Sequence, residues 1–368
     1  MERNNDDGKL FKLIRLDMPL LLGLLALSGL GLIMLYSAGQ QNMDLVLGQG
    51  LRLGLGFLIM LTLAQTPPRY FRLWSPWIYL SGIVLLLAVM VIGDVSKGAQ
   101  RWLDLGVVRF QPSEIMKLAV PMMMGWFFAE KPLPPRWLHL LGGVLITAIP
   151  FVLIAEQPDL GTALVVGSSG GFALFLAGLS WMIMLGLAGL LGAVIPLFWT
   201  FVMHDYQRQR VLTFLNPESD PLGSGYHIIQ SKIAIGSGGI YGRGWLNGTQ
   251  SHLDFLPEGS TDFIFAAFSE EFGLVGACLL LTLYFFIIGR SLYMAARAPD
   301  TYARLLAGSL ALIFFLYAFV NSGMVSGLLP VVGLPLPLFS YGGTSLVTIM
   351  AGFGILMSVY SHRRTPTR

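Results

Sequence analysis

Ten long apolar stretches are the feature that most constrains what this chain can fold into. They cover approximately residues 17–37, 46–65, 74–94, 113–129, 137–155, 160–178, 180–203, 263–289, 303–325 and 343–361. A helix of about 20 apolar residues crosses the hydrocarbon core of a bilayer. Because backbone groups in lipid must be hydrogen-bonded within their own segment, helices satisfy this pattern. It therefore predicts an all-α polytopic integral membrane protein with ten transmembrane helices.

The composition agrees with this class. Apolar residues make up 55% of the 368 residues and charged residues only 12%, against about 25% charged residues in soluble domains. The first apolar stretch is longer than the ~7–15-residue core of a cleaved signal peptide, so we interpret it as a retained span. The single cysteine, Cys278, lies inside an apolar stretch, and an intrachain disulfide is therefore excluded.

The distribution of positive charge predicts the orientation. An even number of spans places both termini on one side, and the positive-inside rule identifies it as the cytoplasmic side, because more than half of the 23 lysines and arginines fall in segments there. A single membrane domain over residues 1–368 then has cytoplasmic tails at 1–16 and 362–368. Its two long extracytoplasmic loops are 95–112 and, between spans seven and eight, 204–261.

A second group of basic residues lies on the outer side, against the usual bias. Its members are Lys97, Arg101, Arg109, Arg208, Arg210, Lys232 and Arg243. Such a cluster indicates an anionic ligand gathered at the outer face. Two further basic residues, Arg52 and Lys117, fall within predicted spans.

An acid stands at the start of the eighth span, in the stretch "FLPEGSTDFIFAAFSEEFG". We expect Thr261 to cap this helix, which leaves Asp262 in its first turn at the boundary between water and lipid. One interpretation is that the carboxylate only stabilises the positive end of the helix dipole. The other is a functional site, since ionisable groups at this depth mark sites or pathways and a carboxylate can act as a general base.

Four further motifs lie in or beside the predicted spans. Glu114 and Lys117 in "QPSEIMKLA" are spaced i, i+3 on one helix face, either as a packing ion pair or as the lining of a polar cavity. Arg101 and Trp102 stand together in "QRWLDLG", and Asp159 in "EQPDLGTA" is expected to cap the sixth span. The proline-rich stretch "LPVVGLPLPLFSYGGTS" cannot be a helix throughout and is expected to line a cavity.

Together, the motifs "FLPEGSTDFIFAAFSEEFGLVG", "QPDLGTALV", "RWLDLG…QPSEIMKLA" and "GLLPVVGLPLPLFSYGGTS" resemble the SEDS family of bacterial membrane proteins over nearly the whole chain. The last motif is similar to the form found in the elongation proteins of that family. The resemblance implies a peptidoglycan glycosyltransferase that polymerises lipid II at the outer face of the cytoplasmic (inner) membrane. It also implies a class B penicillin-binding protein, a transpeptidase, as partner, and no nucleic acid.

The resemblance also implies roles for particular residues. Asp262 matches the catalytic carboxylate, and Glu114 and Lys117 match a pair that lines the central cavity. Arg101 and Trp102 match the outer loop beside that cavity, while Asp159 matches an acid of a short outer turn. One position departs from the family, because Ser260 stands where a histidine is common, and a histidine-assisted step is therefore not expected at this point.

These residues suggest an inverting glycosyl transfer with Asp262 as general base and undecaprenyl pyrophosphate as the leaving group. The cations expected to stabilise the diphosphate are Arg101, Arg208, Arg210 and Lys232, alone or with a divalent cation such as magnesium or manganese. Two other classes are left open. A lipid II flippase would use Glu114 and Lys117 within the membrane, and a scaffold of the cell-wall machinery would not need Asp262.

Overall fold

The computed structural model describes residues 15–96, 99–104, 109–183, 205–220, 224–252, 256 and 258–362, with a few isolated positions between 185 and 200. The long helices are α1 (Met18–Ala38), α2 (Met43–Gln65), α3 (Pro68–Ile92), α4 (Pro112–Phe128), α5 (Trp137–Glu156), α6 (Leu160–Leu176), α10 (Ile264–Ala296), α11 (Thr301–Val325) and α12 (Thr344–Ser361). Among the described residues between α6 and α10 are the shorter helices α7 (Asp205–Leu215), α8 (Ser224–Gly238) and α9 (Thr249–His252), and a 3-10 turn at Pro217–Ser219.

The helices confirm an all-α, multi-pass membrane architecture. Within the described ranges, seven helices are long and apolar enough to cross a bilayer: α1, α2, α3, α5, α10, α11 and α12. The helices α4 and α6, which match two more predicted spans, have 17 residues each. The predicted seventh span, 180–203, falls for the most part outside the described residues.

Helix α11 lies at the centre of the bundle. Most of its side chains are buried, as are those of α12, whereas α2, α3 and α5 turn most of theirs outward. Apolar side chains on outer helices are stable in lipid, so the buried helices are the ones that can carry polar groups between neighbours. Helix α11 therefore provides the frame on which a site inside this protein is built.

Helices α1 and α10 run antiparallel and are joined at both ends. The carboxylate of Asp17 caps α1 by accepting from the Leu20 N–H at 3.0 Å, and it also accepts from Arg290 Nη2 of α10 at 2.5 Å. At the opposite end, the Ser37 hydroxyl donates to the Glu271 carboxylate. These two polar contacts set the register of α10 against α1.

Helix α10 is interrupted at Gly273, whose backbone angles are φ 65° and ψ −165°. Glycine tolerates this conformation because it has no β-carbon. The break lets segment 239–244 pair with the helix: the Gly244 N–H donates to the Glu271 carbonyl at 2.9 Å and the Leu274 N–H to the Gly239 carbonyl at 3.0 Å. The segment 239–244 of the long loop before α10 is thus held against the helix by its backbone.

A small antiparallel sheet follows α3. Its strands are β1 (Asp94–Ser96), β2 (Ala99–Asp104) and β3 (Arg109–Phe110), in the order β1-β2-β3. Leu103 pairs with Phe110, which closes the chain back towards the start of α4. The sheet occupies the predicted outer loop 95–112 and presents Arg101 and Trp102 on its middle strand.

Candidate functional site

Asp262 lies in a turn that precedes α10 and is half-buried there. The turn winds around the Glu258 carbonyl, which accepts from the N–H groups of Thr261 and Phe263, both at 3.1 Å. The Thr261 hydroxyl also donates to this carbonyl at 3.3 Å, so it does not reach the helix. The prediction that Thr261 caps α10 with Asp262 in its first turn is therefore wrong.

Asn321 of α11 clamps this turn to the chain that follows α11. Its side chain is fully buried, and its Nδ2 donates to the carbonyls of Asp262 and Leu334, each at 2.8 Å. A second link joins the Tyr341 N–H to the Ser260 carbonyl at 2.9 Å. The backbone on both sides of the Asp262 side chain is thus fixed by hydrogen bonds to residues far along the chain.

The proline-rich stretch before α12 is non-helical, as its sequence predicted, and it faces Asp262. At Gly333, φ is +76°, and a β-carbon built there would lie 3.6 Å from Asp262 Oδ2. Gln49 of α2 holds the same stretch, since it donates to the Ser340 carbonyl and accepts from the Gly342 N–H, both at 3.3 Å. A glycine at 333 therefore leaves space beside the carboxylate, within a loop held in place on the other side by α2.

Glu114 and Lys117 form the ion pair that their spacing predicted, with Nζ and Oε1 2.6 Å apart. Both side chains are buried, and Lys117 Nζ lies 5.2 Å from the centre of the Tyr317 ring of α11. Lys117 and Tyr317 also line a narrow cavity of about 30 Å³ between α4, α11 and α12. Tyr317 is one helical turn before Asn321, so the ion pair and the clamp at Asp262 share α11.

Arg101 of β2 lies against the short turn that carries Asp159. Arg101 Nε donates to the Gln157 carbonyl at 3.3 Å and its Nη2 donates to the Pro158 carbonyl, while Nη1 is 4.0 Å from Asp159 Oδ1. Asp159 caps α6 through the Thr162 N–H at 3.3 Å, as predicted. Trp102 is half-buried on β2. Two of the five Arg101 N–H donors therefore bind the protein's own short turn between α5 and α6.

The remaining predicted cations lie on the short helices between α6 and α10. Arg208 of α7 donates to the Thr200 carbonyl at 3.1 Å. The side chain of Arg210 is outside the described part of the chain. Lys232 of α8 is exposed, and its side chain packs against Gly327, just after the end of α11. A β-carbon added at Gly327 would lie 2.8 Å from Lys232 Nζ. Lys232 is the predicted cation placed against α11.

Glu270 is a residue whose role sequence reasoning missed. It is fully buried, and its carboxylate accepts from the Thr249 N–H at 2.8 Å, the Thr249 hydroxyl at 2.9 Å and the Gln250 N–H at 3.1 Å. It thereby caps α9 and ties the loop that carries α9 to α10. The available signal was an acid inside an apolar stretch, because a buried carboxylate requires several hydrogen-bond donors. The same signal, a polar residue within a span, applies to Asn321 and Gln49.

The described residues contain no group of three or more His, Cys, Asp or Glu side chains that could hold a metal ion.

Comparison with known proteins places the chain among cell-wall proteins. The family model FtsW/RodA/SpoVE, described as a cell cycle protein, matches residues 13–365. The chain is 54% identical to the peptidoglycan glycosyltransferase MrdB of Escherichia coli K12, over 95% of both chains.

Two solved structures are also similar. One, described as the structural coordination of polymerization and crosslinking by a peptidoglycan synthase complex, has a TM-score of 0.81 and 36% identity over 94% of this chain and 98% of that chain. The other is the rod shape determining protein RodA of Thermus thermophilus, with a TM-score of 0.72 and 30% identity over 95% of this chain and 98% of that chain.

Proposed function

The chain belongs to the FtsW, RodA and SpoVE family of cell cycle proteins, and on that premise we propose that it polymerises lipid II into β-1,4-linked glycan strands during cell elongation. In this proposal the chain is a peptidoglycan glycosyltransferase of the RodA type, and Asp262 is its general base. The observation that carries the role of Asp262 is its half-buried carboxylate at the start of α10, with its backbone clamped by Asn321 and Gly333 beside Oδ2.

The chemistry of the reaction explains why one fixed carboxylate suffices. The 4-hydroxyl of the acceptor sugar attacks the anomeric carbon of the donor, so a carbon–oxygen bond forms and the bond to the diphosphate breaks, with inversion. The hydroxyl proton passes to Asp262, since a sugar alcohol is a weak nucleophile at neutral pH. Undecaprenyl diphosphate leaves with its negative charge, which cations in a site of low dielectric stabilise.

The proposed topology has ten spans, with both termini in the cytoplasm and the catalytic turn at the outer face of the inner membrane. A contact between Arg15 and His362 supports an even number of crossings, because it brings the two described ends of the chain together. The antiparallel pairing of α1 with α10 supports the same arrangement. The outer loops then carry the sheet, α7, α8 and α9, with the basic residues discussed above.

We further propose that a class B penicillin-binding protein is the partner and supplies the transpeptidase. Similarity to a structure of a peptidoglycan synthase complex that coordinates polymerization and crosslinking supports this assignment. The lipid substrates enter from the membrane, which accounts for a site built at the end of transmembrane helices rather than in a soluble domain.

Purified protein with its partner, supplied with lipid II in detergent, tests the function. Glycan polymer that forms while the transpeptidase is blocked supports the proposal. The same protein in liposomes with labelled lipid II separates the other classes. Movement of the lipid across the bilayer without polymer would indicate a flippase, and neither polymer nor movement would indicate a scaffold.

A further inference from the structure

Arg52 is a cation within a span that the proposed mechanism does not yet use. It lies in α2, half-buried, with its guanidinium carbon 4.6 Å from the centre of the Tyr341 ring. Tyr341 is the residue whose N–H donates to the Ser260 carbonyl, two positions before Asp262. One stacking contact and one hydrogen bond therefore connect Arg52 to the catalytic turn.

Helix α2 presents Arg52 to this loop in a fixed position. Gln49, one turn earlier, is buried and hydrogen-bonded to the backbone of Ser340 and Gly342 on both sides of Tyr341. Residues three apart lie on the same helix face, so the Gln49 contacts hold that face against the loop. Arg52 is thus placed beside the loop by the helix rather than by a flexible linker.

The charge of Arg52 has no acidic partner among the described residues. The ion pairs found there join other residues, and none includes Arg52. An ionisable group within a span is costly and is usually paired or functional. The contact with Tyr341 is a cation–π contact with the ring, and the guanidinium carries five N–H donors. These donors suit a phosphate, which arginine binds with two parallel hydrogen bonds.

Arg101 is less suited to the same task. Its Nε and Nη2 already donate to the carbonyls of Gln157 and Pro158, and Asp159 lies 4.0 Å from Nη1. Fewer of its five N–H donors are therefore left for a diphosphate, and a carboxylate lies close to its charge. Arg52 has its N–H donors left for a ligand, and it also lies next to the loop that faces Asp262.

We propose that Arg52 binds the diphosphate of the polyprenyl-linked substrate, with Tyr341 orienting its guanidinium. This inference rests on the proposed function, because it names a cation that recognises the leaving group in the same site. The ligand class is a polyprenyl diphosphate, and the recognised group is the diphosphate rather than the sugar or the prenyl chain.

A binding experiment that needs no catalysis tests this inference. The affinity of the purified protein for undecaprenyl diphosphate is compared with that for undecaprenol, the same chain without the diphosphate. Arg52→Gln should reduce the preference for the diphosphate by about tenfold or more, the effect of losing one charge-assisted hydrogen bond. Arg52→Lys should recover part of it, since lysine keeps the charge without the planar fork.

Arg69→Gln is the matched control. Arg69 also stacks on a tyrosine, with its guanidinium carbon 4.9 Å from the ring centre of Tyr70, at the start of α3. The Arg69→Gln substitution should leave the preference for the diphosphate unchanged. The inference would be overturned if Arg52→Gln and wild type had the same melting temperature and the same preference for undecaprenyl diphosphate over undecaprenol. If wild type forms no polymer but binds the diphosphate through Arg52, the proposed function fails and the inference stands.

Kinetics gives a second readout that a purely structural role would not reproduce. Arg52→Gln should raise KM for lipid II at least as strongly as it lowers kcat, because the diphosphate is bound before the reaction as well as during it. Arg69→Gln, the matched control, should leave both constants at their wild-type values. A fall in kcat alone, with KM unchanged, would contradict a binding role for Arg52.

Discussion

Asn321 donates from one side-chain amide to the carbonyl of Asp262 at 2.8 Å and to that of Leu334 at the same distance. It thereby joins three parts of the chain, namely α11, the turn before α10 and the loop before α12. This clamp holds the backbone that carries the Asp262 carboxylate, so the position of the carboxylate depends on a buried residue of α11.

Replacing Asn321 should therefore affect the rate more than binding. We expect Asn321→Ala to lower kcat about tenfold to a hundredfold with little change in KM, since a shift of about 1 Å in a reacting group costs this much. Steady-state polymerisation of lipid II measures both constants. Ser322→Ala, at the next position on α11, is the control, and an Asn321→Ala enzyme with normal kcat would show that the clamp does not position Asp262.

Loss of the buried Glu270 carboxylate should destabilise the loop that carries α9. Glu270→Ala removes the acceptor for Thr249 and Gln250, which should weaken the loop by about 1–3 kcal/mol because buried donors lose their partner. Amide hydrogen exchange over residues 237–252 should become faster.

Glu130 is an exposed acid whose substitution serves as a comparison for Glu270→Ala. It pairs with Arg72 at 2.6 Å but is largely exposed, so Glu130→Gln should change stability by less than about 1 kcal/mol. Unchanged exchange over residues 237–252 in Glu270→Ala would mean that the loop is held by its backbone contacts to α10 alone.

The buried ion pair of Glu114 and Lys117 predicts non-additive effects on stability. Removing one partner leaves the other charge buried, so Glu114→Gln or Lys117→Met alone should destabilise the protein by about 3–5 kcal/mol. The double variant should lose less than the sum of the two. Thermal unfolding in detergent gives the comparison, and strictly additive losses would show that the two charges do not stabilise each other.

Local sequence patterns predicted the helices well for a physical reason. A span must satisfy its own backbone in lipid, so the apolar stretch at 113–129 is found as α4 (Pro112–Phe128) and the stretch at 343–361 as α12. The i, i+3 pair of Glu114 and Lys117 and the cap at Asp159 are also local, and both were predicted.

The parts that were not predicted depend on distant residues. Thr261 was expected to cap α10, but its hydroxyl binds the Glu258 carbonyl, which also accepts two backbone N–H groups. The clamp at Asn321 joins residues 59 positions apart, and no periodicity in the sequence encodes that contact. The break at Gly273 accommodates the pairing of segment 239–244 with α10, and a hydropathy pattern does not reveal that contact.

Polymerisation of lipid II by Asp262→Asn, assayed with the penicillin-binding partner, tests the central claim most directly. Asparagine keeps the shape of the side chain but cannot accept the proton, so the rate should fall about 10²–10⁴-fold. The melting temperature, the binding of the partner and the preference for undecaprenyl diphosphate should stay at wild-type values. An Asp262→Asn enzyme that makes glycan at close to the wild-type rate would contradict the assignment of Asp262 as the general base.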